Sequence, residues 1–529
     1  MTKGPTGGDV LRPEADRAVR PLAQRLSASL AAGGWVAPAL LAVAAITLVR
    51  LAFVGFAGLD LDFEEAQYWF WSKDLAWGYF SKPPLIAWLI AGATAICGDG
   101  EACIRVPSPL IHAATAMIVG AIGGALGTPE TRDRLALWSA VGYATLPGIS
   151  FSAFLMTTDV PLLFCWALAL LAWVKLMRGG RAWWGVIGGL ALGFGLLAKY
   201  AMAYFLLGAV LHLLLSGQAR RIVARRAPAF LVFLGLGLLI VAPNLAWNAT
   251  DGFITFQHTA ENVNLGEDWL HPGRALEFLG AQAAVFGPVL FVVLVAGIAF
   301  WRRPADGDDA RLVLGAFCYP VIALLVVQAL LSRANANWAA TAYVAGTVYV
   351  THWLLERGRL RLLKISLGLH VAAALGLYLA LAAVPAVAVP GLGAKPVAAR
   401  LHGWDALGDR VAMHLAAEPG SVLVSEYRQL LAILIYYAQV PTDLRAGAFA
   451  KWNSDRDLED HFELIGATID EVAPRTGATR FVIASERPEP MGILDRFDQW
   501  RLLEVVEQPL GAGLVRRHWL YEARGFKGY

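Results

Sequence analysis

Long apolar runs decide what this chain can become. The first lies at about 36–58, and others follow at about 103–127, 135–154, 160–177, 183–199, 201–216, 228–246, 276–300, 312–331, 338–354 and 362–386. A hydrocarbon core about 30 Å thick takes a helix of roughly 20 apolar residues, so the sequence predicts eleven membrane spans. The runs at 183–199 and 201–216 are short and share Lys199, so either reads equally as a tilted or re-entrant piece. Composition agrees, with 57% hydrophobic and 16% charged residues against about 45–50% and about 25% in soluble domains. A net charge of +3 argues against a nucleic-acid partner, which needs a strongly basic face. Four cysteines exclude a disulfide-stapled scaffold.

Residues 1–35 are polar and carry no cleavable apolar signal, so they are expected as a cytoplasmic N-terminal segment. Basic residues concentrate in alternate loops on that same side: Arg132 and Arg134, Arg178 and Arg181, Arg220 to Arg226, then Arg357, Arg359, Arg361 and Lys364. Positive charge stays inside, so the N-terminus is predicted cytoplasmic and, with an odd span count, the C-terminal part periplasmic. The division expected is a transmembrane domain over 36–386 and a soluble α/β domain over 387–529. In the latter, Pro385, Pro390 and Pro396 end the last helix, 421–425 and 481–485 read as strands, and 426–438 and 455–472 as helices. Glycine stripes at Gly120, Gly123, Gly124 and Gly127 and at Gly185, Gly189 and Gly193 read as close helix contacts. Cys97 and Cys103 are either an outer-face disulfide or two free thiols.

The outer loops carry the chemistry. The first holds Asp60, Asp62, Glu64 and Glu65, then an aromatic stretch (Tyr68, Trp69, Phe70, Trp71, Trp77, Tyr79, Phe80) expected to lie flat in the headgroup layer, then Lys82. One reading is an aromatic belt with solvated charges. The other is a site at headgroup depth, where a cation meets a lipid phosphate and a carboxylate deprotonates a hydroxyl. Asp159, at the mouth of a span, is either a helix cap or a catalytic acid. Lys199 snorkels or binds an anion, and Arg50 within the first span is either a snorkelling residue or, the favoured reading, a structural partner for an outer acid. Asn244, Asn248, His258, Glu261, Asn262, Asn264, Asp268 and His271 of the fourth outer loop, with Arg333, Asn335 and Asn337 of the fifth, suggest a sugar-binding lining.

These motifs, in order, resemble the integral-membrane glycosyltransferases of the GT-C class. Within it the likeness is to the bacterial branch of the aminoarabinose transferase, the RgtA/B/C/D-like transferases and relatives of protein O-mannosyltransferases. It covers roughly residues 40–350 and rests on the acid pair before Ala66-Gln67-Tyr68-Trp69, the Tyr79–Trp88 stretch, Arg105-Val-Pro-Ser108, Thr158-Asp159-Val-Pro161, Gly195–Tyr200, Pro243-Asn244 with Trp247-Asn248, and Asn337-Trp338. The fold expected is an all-α polytopic GT-C-like bundle with interfacial helices in the first outer loop, and, from the composition beyond 387, a small C-terminal α/β domain. The resemblance implies an inverting transfer from an undecaprenyl-phosphate-linked sugar to a lipid A, glycan or protein acceptor in the bacterial inner membrane. By motif position, Glu64, Asp159 and Glu65 are the expected catalytic acids. Lys82, Arg333 and Lys199 are expected on the donor phosphate, and Tyr68, Tyr79, Asn248, His258 and Asn337 on substrate. Glu64 stands where the family usually has Asp. The extra methylene moves the carboxylate by about 1.5 Å, enough to cost about 10²-fold unless the backbone compensates or Asp62 or Asp159 takes the role. No cofactor is assigned. Ser81 replaces a metal-associated glutamate of the aminoarabinose enzymes, while His258, Glu261 and His271 leave a divalent metal open. The competing readings are a transporter or flippase of lipid-linked sugars and a catalytically weakened scaffold.

Overall fold

The computed structural model describes residues 34–261, 270–299, 301, 309–383, 400–490, 492–511 and 514–529. The segment before residue 34, Asn262, Asn264 and Asp268, and Pro385, Pro390 and Pro396 lie outside these. In chain order the helices are α1 (Val36–Phe56), α2 (Phe63–Trp71), α3 (Leu85–Cys97), α4 (Glu101–Leu126), α5 (Arg132–Thr145), α6 (Pro147–Ser152), α7 (Asp159–Met177) and α8 (Trp184–Ala198). There follow α9 (Tyr204–Leu215), α10 (Gly217–Arg225), α11 (Ala227–Thr250), α12 (Ile254–Glu261), α13 (Pro272–Phe286), α14 (Pro288–Gly297), α15 (Ala310–Leu331), α16 (Ala342–Glu356) and α17 (Leu360–Ala383).

Among the described residues, six helices are long and apolar enough to cross a membrane, or eight if each of two bent pairs counts as one span. The eleven expected runs therefore do not map one to one onto straight spans. Leu146 is held extended before Pro147, and this divides the 135–154 run into α5 and α6. Gly287, with a φ of 89° open to glycine, turns α13 into α14 through 116°. The 183–199 run folds as the short α8.

The glycine stripe of α8 does pack a helix closely. A Cβ on Gly185 would fall 2.3 Å from the Ala229 carbonyl oxygen, and one on Gly193 would fall 2.6 Å from Ile240 Cβ, both on α11. Cys97 and Cys103 form a disulfide that closes the loop between α3 and α4, with Cα atoms 5.9 Å apart. Arg50 is buried and, among the described residues, pairs with no acid. Its guanidinium donates at 2.5 Å to the Ala144 carbonyl, which the end of α5 leaves without a helical partner, and at 3.1 Å to Ser150 Oγ.

The C-terminal domain holds α18 (Trp404–Ala416), β1 (Val422–Ser425), α19 (Arg428–Tyr437), β2 (Phe449–Lys451), α20 (His461–Leu464), α21 (Ile469–Thr476), β3 (Arg480–Ser485), β4 (Phe497–Gly511) and β5 (Leu514–Phe526). The sheet order is β2-β1-β3-β5-β4, with β1 parallel to both neighbours and β5 antiparallel to both of its own. The all-buried Val-Leu-Val-Ser of β1 is what a central parallel strand requires.

This domain changes the meaning of the first outer loop. Tyr68, Trp69, Phe70 and Trp71 of α2 do not present their rings to headgroups; all four are buried in one core with α19 and β2. Phe70 meets Phe449 and Phe462 edge-on or tilted at 5.5 and 5.0 Å, and Trp69 meets Tyr436 at 4.8 Å. The aromatic residues are paired with a domain more than 350 residues away along the chain, and period-based reading of one segment cannot see that partner.

Candidate active site

Helix α2 begins with a capping box. Asp62 Oδ1 accepts the Glu64 N–H at 3.1 Å, and Glu65 Oε2 accepts the Asp62 N–H at 3.1 Å. This fixes the direction in which each of the first-loop acids leaves the backbone. Glu65 points inward and is 1% exposed. Arg105 grips it in a fork, with Nε 3.0 Å from Oε1 and Nη2 2.6 Å from Oε2, and the Met156 N–H adds a bond of 2.8 Å to Oε1. The Arg105 guanidinium also donates to the Leu59 and Asp60 carbonyls at 2.7 and 2.6 Å. Glu65, expected among the catalytic acids, is thus surrounded by donors on both oxygens, and the Arg105 motif exists to hold it.

Asp60 and Asp62 turn toward the C-terminal domain. Asp60 Oδ2 accepts the Trp404 N–H at 2.7 Å and Asp62 pairs with Arg400 at 2.9 Å. Burial raises both carboxyls from 3.8 to about 6. A carboxyl with a raised folded value binds its proton more tightly when folded. Its contribution to stability is therefore present below about pH 4 and is lost as pH rises through about 6. Asp60→Asn keeps an acceptor for Trp404 and removes the buried charge. We expect it to stabilise the chain at pH 8, by up to about 3 kcal/mol, and to change little at pH 4.5. Thermal unfolding in detergent at both values checks this, and an equal gain at both would contradict it.

Glu64 is the remaining acid of this loop. It is half-buried, and among the described residues its carboxylate is held by one long bond, 3.4 Å from the Tyr68 hydroxyl. Burial, then the nearby Glu64, Asp159 and Asp62 carboxylates, keep the Tyr68 phenol well above its ordinary range, so it stays a donor. The next turn brings in Lys82, whose backbone carbonyl accepts the Tyr79 N–H at 3.1 Å. Burial lowers the Lys82 ammonium; Glu64 and Asp159 raise it, and Lys199 and Arg428 lower it further. One half-buried lysine therefore feels two acids and two cations drawn from four separate segments.

Asp159 opens α7, yet its side chain caps nothing. Its oxygens are taken by Lys199 Nζ at 2.7 Å and by Asn337 Nδ2 at 2.6 Å. The capping reading fails, because those two side chains outcompete the local N–H groups. Lys199 stands at the break between α8 and the 3-10 turn Tyr200–Ala203, where the chain is extended and its side chain can reach α7.

Other expected residues sit differently. Tyr79 is buried and stacked on Trp71 at 4.6 Å, and its hydroxyl donates to the Trp71 and Asp74 carbonyls at 3.0 and 3.1 Å. Asn248 is fully buried and donates to the Tyr200 hydroxyl at 3.1 Å. Asn244 accepts from that hydroxyl at 2.9 Å and donates to the Trp77 carbonyl at 2.7 Å. The amides thus brace the loop and Tyr200. Arg333 is exposed on the same loop as Asn337. His258 lines a cleft of about 730 Å³ with Phe80, Gln257 and Glu261. Burial, Arg428 and Lys82 depress its imidazole to about 4, so it is neutral at pH 7. Among the described residues no three His, Cys, Asp or Glu side chains are placed to hold a metal ion. His258, Glu261 and His271 do not form a ligand set.

The far wall of the cleft is the C-terminal domain, contributing Glu426, Tyr427, Arg428, Lys451 and the 457–460 turn. Sequence reading missed Arg428 and Glu426. The one local signal for them was a polar pair following the strand at 421–425, and such pairs are common in any α/β loop.

The family of dolichyl-phosphate-mannose-protein mannosyltransferases matches residues 81–247. The lipid A galacturonosyltransferase RgtD of Rhizobium johnstonii is 34% identical over 416 residues, 77% of this chain and 85% of that protein. The lipopolysaccharide core galacturonosyltransferase RgtA of the same organism is 27% identical over 248 residues, 46% of each chain. Among solved structures, apo ArnT from Cupriavidus metallidurans superposes with a TM-score of 0.57 at 16% identity, covering 91% of this chain and 97% of that one. The same protein bound to undecaprenyl phosphate gives 0.55 at 16% identity, covering 90% and 97%. At that identity the likeness speaks to fold alone, whereas the RgtD match spans most of both sequences. The chain is a multi-pass membrane glycosyltransferase that belongs to the GT-C superfamily, in the family of the lipid A galacturonosyltransferase RgtD.

Proposed function

We propose that the chain transfers a hexuronosyl unit from a polyprenyl-phosphate carrier to lipid A or a related envelope acceptor. The reaction is placed at the periplasmic face of the inner membrane, and it inverts the anomeric centre. The observation that carries this is the gathering of Glu64, Asp159 and Lys199 around Lys82. The class of sugar and acceptor is taken from RgtD, and the carrier from the lipid bound to the Cupriavidus metallidurans protein. In this reading an acceptor hydroxyl oxygen attacks C1 of the sugar and its proton passes to Glu64. The bond from C1 to the phosphate oxygen breaks, and the electron pair leaves with the polyprenyl phosphate. Lys82, beside Lys199, meets the charge growing on that oxygen. Glu64 is the base because Asp159 has both oxygens engaged by Lys199 and Asn337. Glu65 acts through position, holding the start of α2, as Asn248 and Tyr79 hold the loops around the site.

Membranes carrying the chain, given polyprenyl-phosphate galacturonic acid and lipid A, should release free polyprenyl phosphate in step with acceptor modification. Movement of intact donor across the bilayer without cleavage would favour a carrier instead. In this assay Lys82→Ala should lower kcat by about 10²-fold, the scale of losing one preorganised stabilising group. Wild-type turnover in that variant would remove Lys82 from the phosphate.

A further inference from the structure

The family reading accounts for Lys82, Glu64 and Asp159 but gives no task to the soluble domain. That domain is docked beside them. Leu61 N–H donates to Tyr437 Oη at 2.6 Å, and Tyr436 donates to the Asp99 carbonyl at 2.6 Å, so α19 is anchored to both ends of the segment that carries Glu64 and Lys82. Arg428 is the first residue of α19. It lines the cleft opposite Phe80 and His258, and its charge is felt by both Lys82 and His258. Among the described residues it makes no ion pair, whereas the other basic group of that wall, Lys451, is matched internally by Glu463 at 3.2 Å and Asp460 at 3.8 Å. Lys82 and Arg428 are like charges close enough to feel one another, and an anion between them stabilises both. Beside Arg428, Glu426 is 7% exposed. Its Oε1 accepts from Ser485 at 3.1 Å, while its buried Oε2 has no protein donor. A cleft wall that offers one cation and one unmet acceptor suits a ligand with a carboxylate and a neighbouring hydroxyl. The acids at the mouth, Glu261, Asp457 and Glu459, are exposed, where water screens them.

We propose that Arg428, with Glu426 accepting an adjacent hydroxyl, binds the carboxylate of a hexuronosyl donor, so that the C-terminal domain selects the sugar by its charge. This rests on the transferase reading above and gives it a specificity device. A uronosyl phosphate carries two anionic groups on one pyranose ring. Lys82 takes the phosphate and Arg428 the carboxylate, while a neutral hexose leaves Arg428 unmatched. His258, on the same cleft as Arg428 and neutral at pH 7, adds no third charge there.

The test uses the full chain in membranes with two probes, polyprenyl-phosphate galacturonic acid and polyprenyl-phosphate galactose, and lipid A as acceptor. For wild type, kcat/KM should favour the uronosyl donor. Arg428→Gln should lower the ratio of the two kcat/KM values by about 10- to 100-fold, chiefly through KM of the uronosyl donor, the scale of one charge-assisted pair. Arg428→Lys should restore part of the ratio, which a misfolded chain could not do. An unchanged ratio overturns the proposal. So does an equal loss with both donors accompanied by weaker binding of undecaprenyl phosphate, since Arg428 would then serve the phosphate. A rise confined to KM for lipid A would move Arg428 to the acceptor and overturn it as well. If wild type cleaves neither donor, the transferase reading itself fails, an outcome distinct from a wild type that turns over but does not discriminate through Arg428.

Discussion

Glu64→Gln lowers sugar transfer by about 10²–10⁴-fold, the range of a positioned general base, while the chain inserts and folds as wild type. The amide keeps the shape of the side chain and still accepts from Tyr68, so α2 and its capping box are undisturbed. What is lost is a site for the acceptor's proton. The other first-loop acids cannot take it over. Glu65 is forked by Arg105, Asp60 is bonded to the Trp404 N–H, and Asp62 is bound to Arg400. kcat measured with saturating donor, beside a folding readout such as size-exclusion elution, separates base from scaffold. Unchanged turnover would move the base to Asp159. Glu64→Asp sharpens the point: a gain in rate on shortening the side chain would mark the native residue as misplaced and the chain as a weakened relative.

The second large effect is structural. Arg105→Ala leaves Glu65 charged, 1% exposed and without its main partner, and removes the donors to the Leu59 and Asp60 carbonyls. Breaking a buried pair from one side costs about 3–5 kcal/mol, a large fraction of the stability of any domain. We expect a sharp fall in folded protein in the membrane and loss of transfer in what remains. The double variant Arg105→Met with Glu65→Leu should recover only part of the folded yield: an apolar pair of similar volume removes both desolvation costs, but the Leu59 and Asp60 carbonyls and the Asp62 and Met156 N–H groups still lose their partners. Equal yields for Arg105→Ala and wild type would show that the pair does not hold the loop.

The reach of the sequence follows from what kind of signal each feature leaves. Apolar length marks a membrane helix wherever it sits, so the bundle was legible from hydropathy, as were β1, β3 and α19 from short buried runs. What hydropathy does not carry is bending. The break at Pro147 and the turn at Gly287 divide the runs at 135–154 and 276–300, which looked continuous. Within the site, motif order pointed to Glu64, Lys82, Asp159, Lys199 and Asn337, and the structure brings these near one another. Residue type alone could not separate the half-buried Glu64 from the fully buried Glu65 one position on, since a helix turns about 100° per residue. Nor could it see that Tyr79 spends its hydroxyl, and Asn248 its amide nitrogen, on protein partners. The contribution of Arg428 and Glu426 depends on a docking contact between segments some 350 residues apart, and nothing local encodes it.

The most direct measurement of the central claim is the mass of lipid A from cells lacking the gene, complemented with wild type or with Glu64→Gln at matched membrane levels. The account predicts that wild type restores one hexuronosyl increment per modified lipid A and that Glu64→Gln does not, while carrier-linked sugar accumulates. Identical lipid A and other envelope glycolipid masses in all three strains would contradict it.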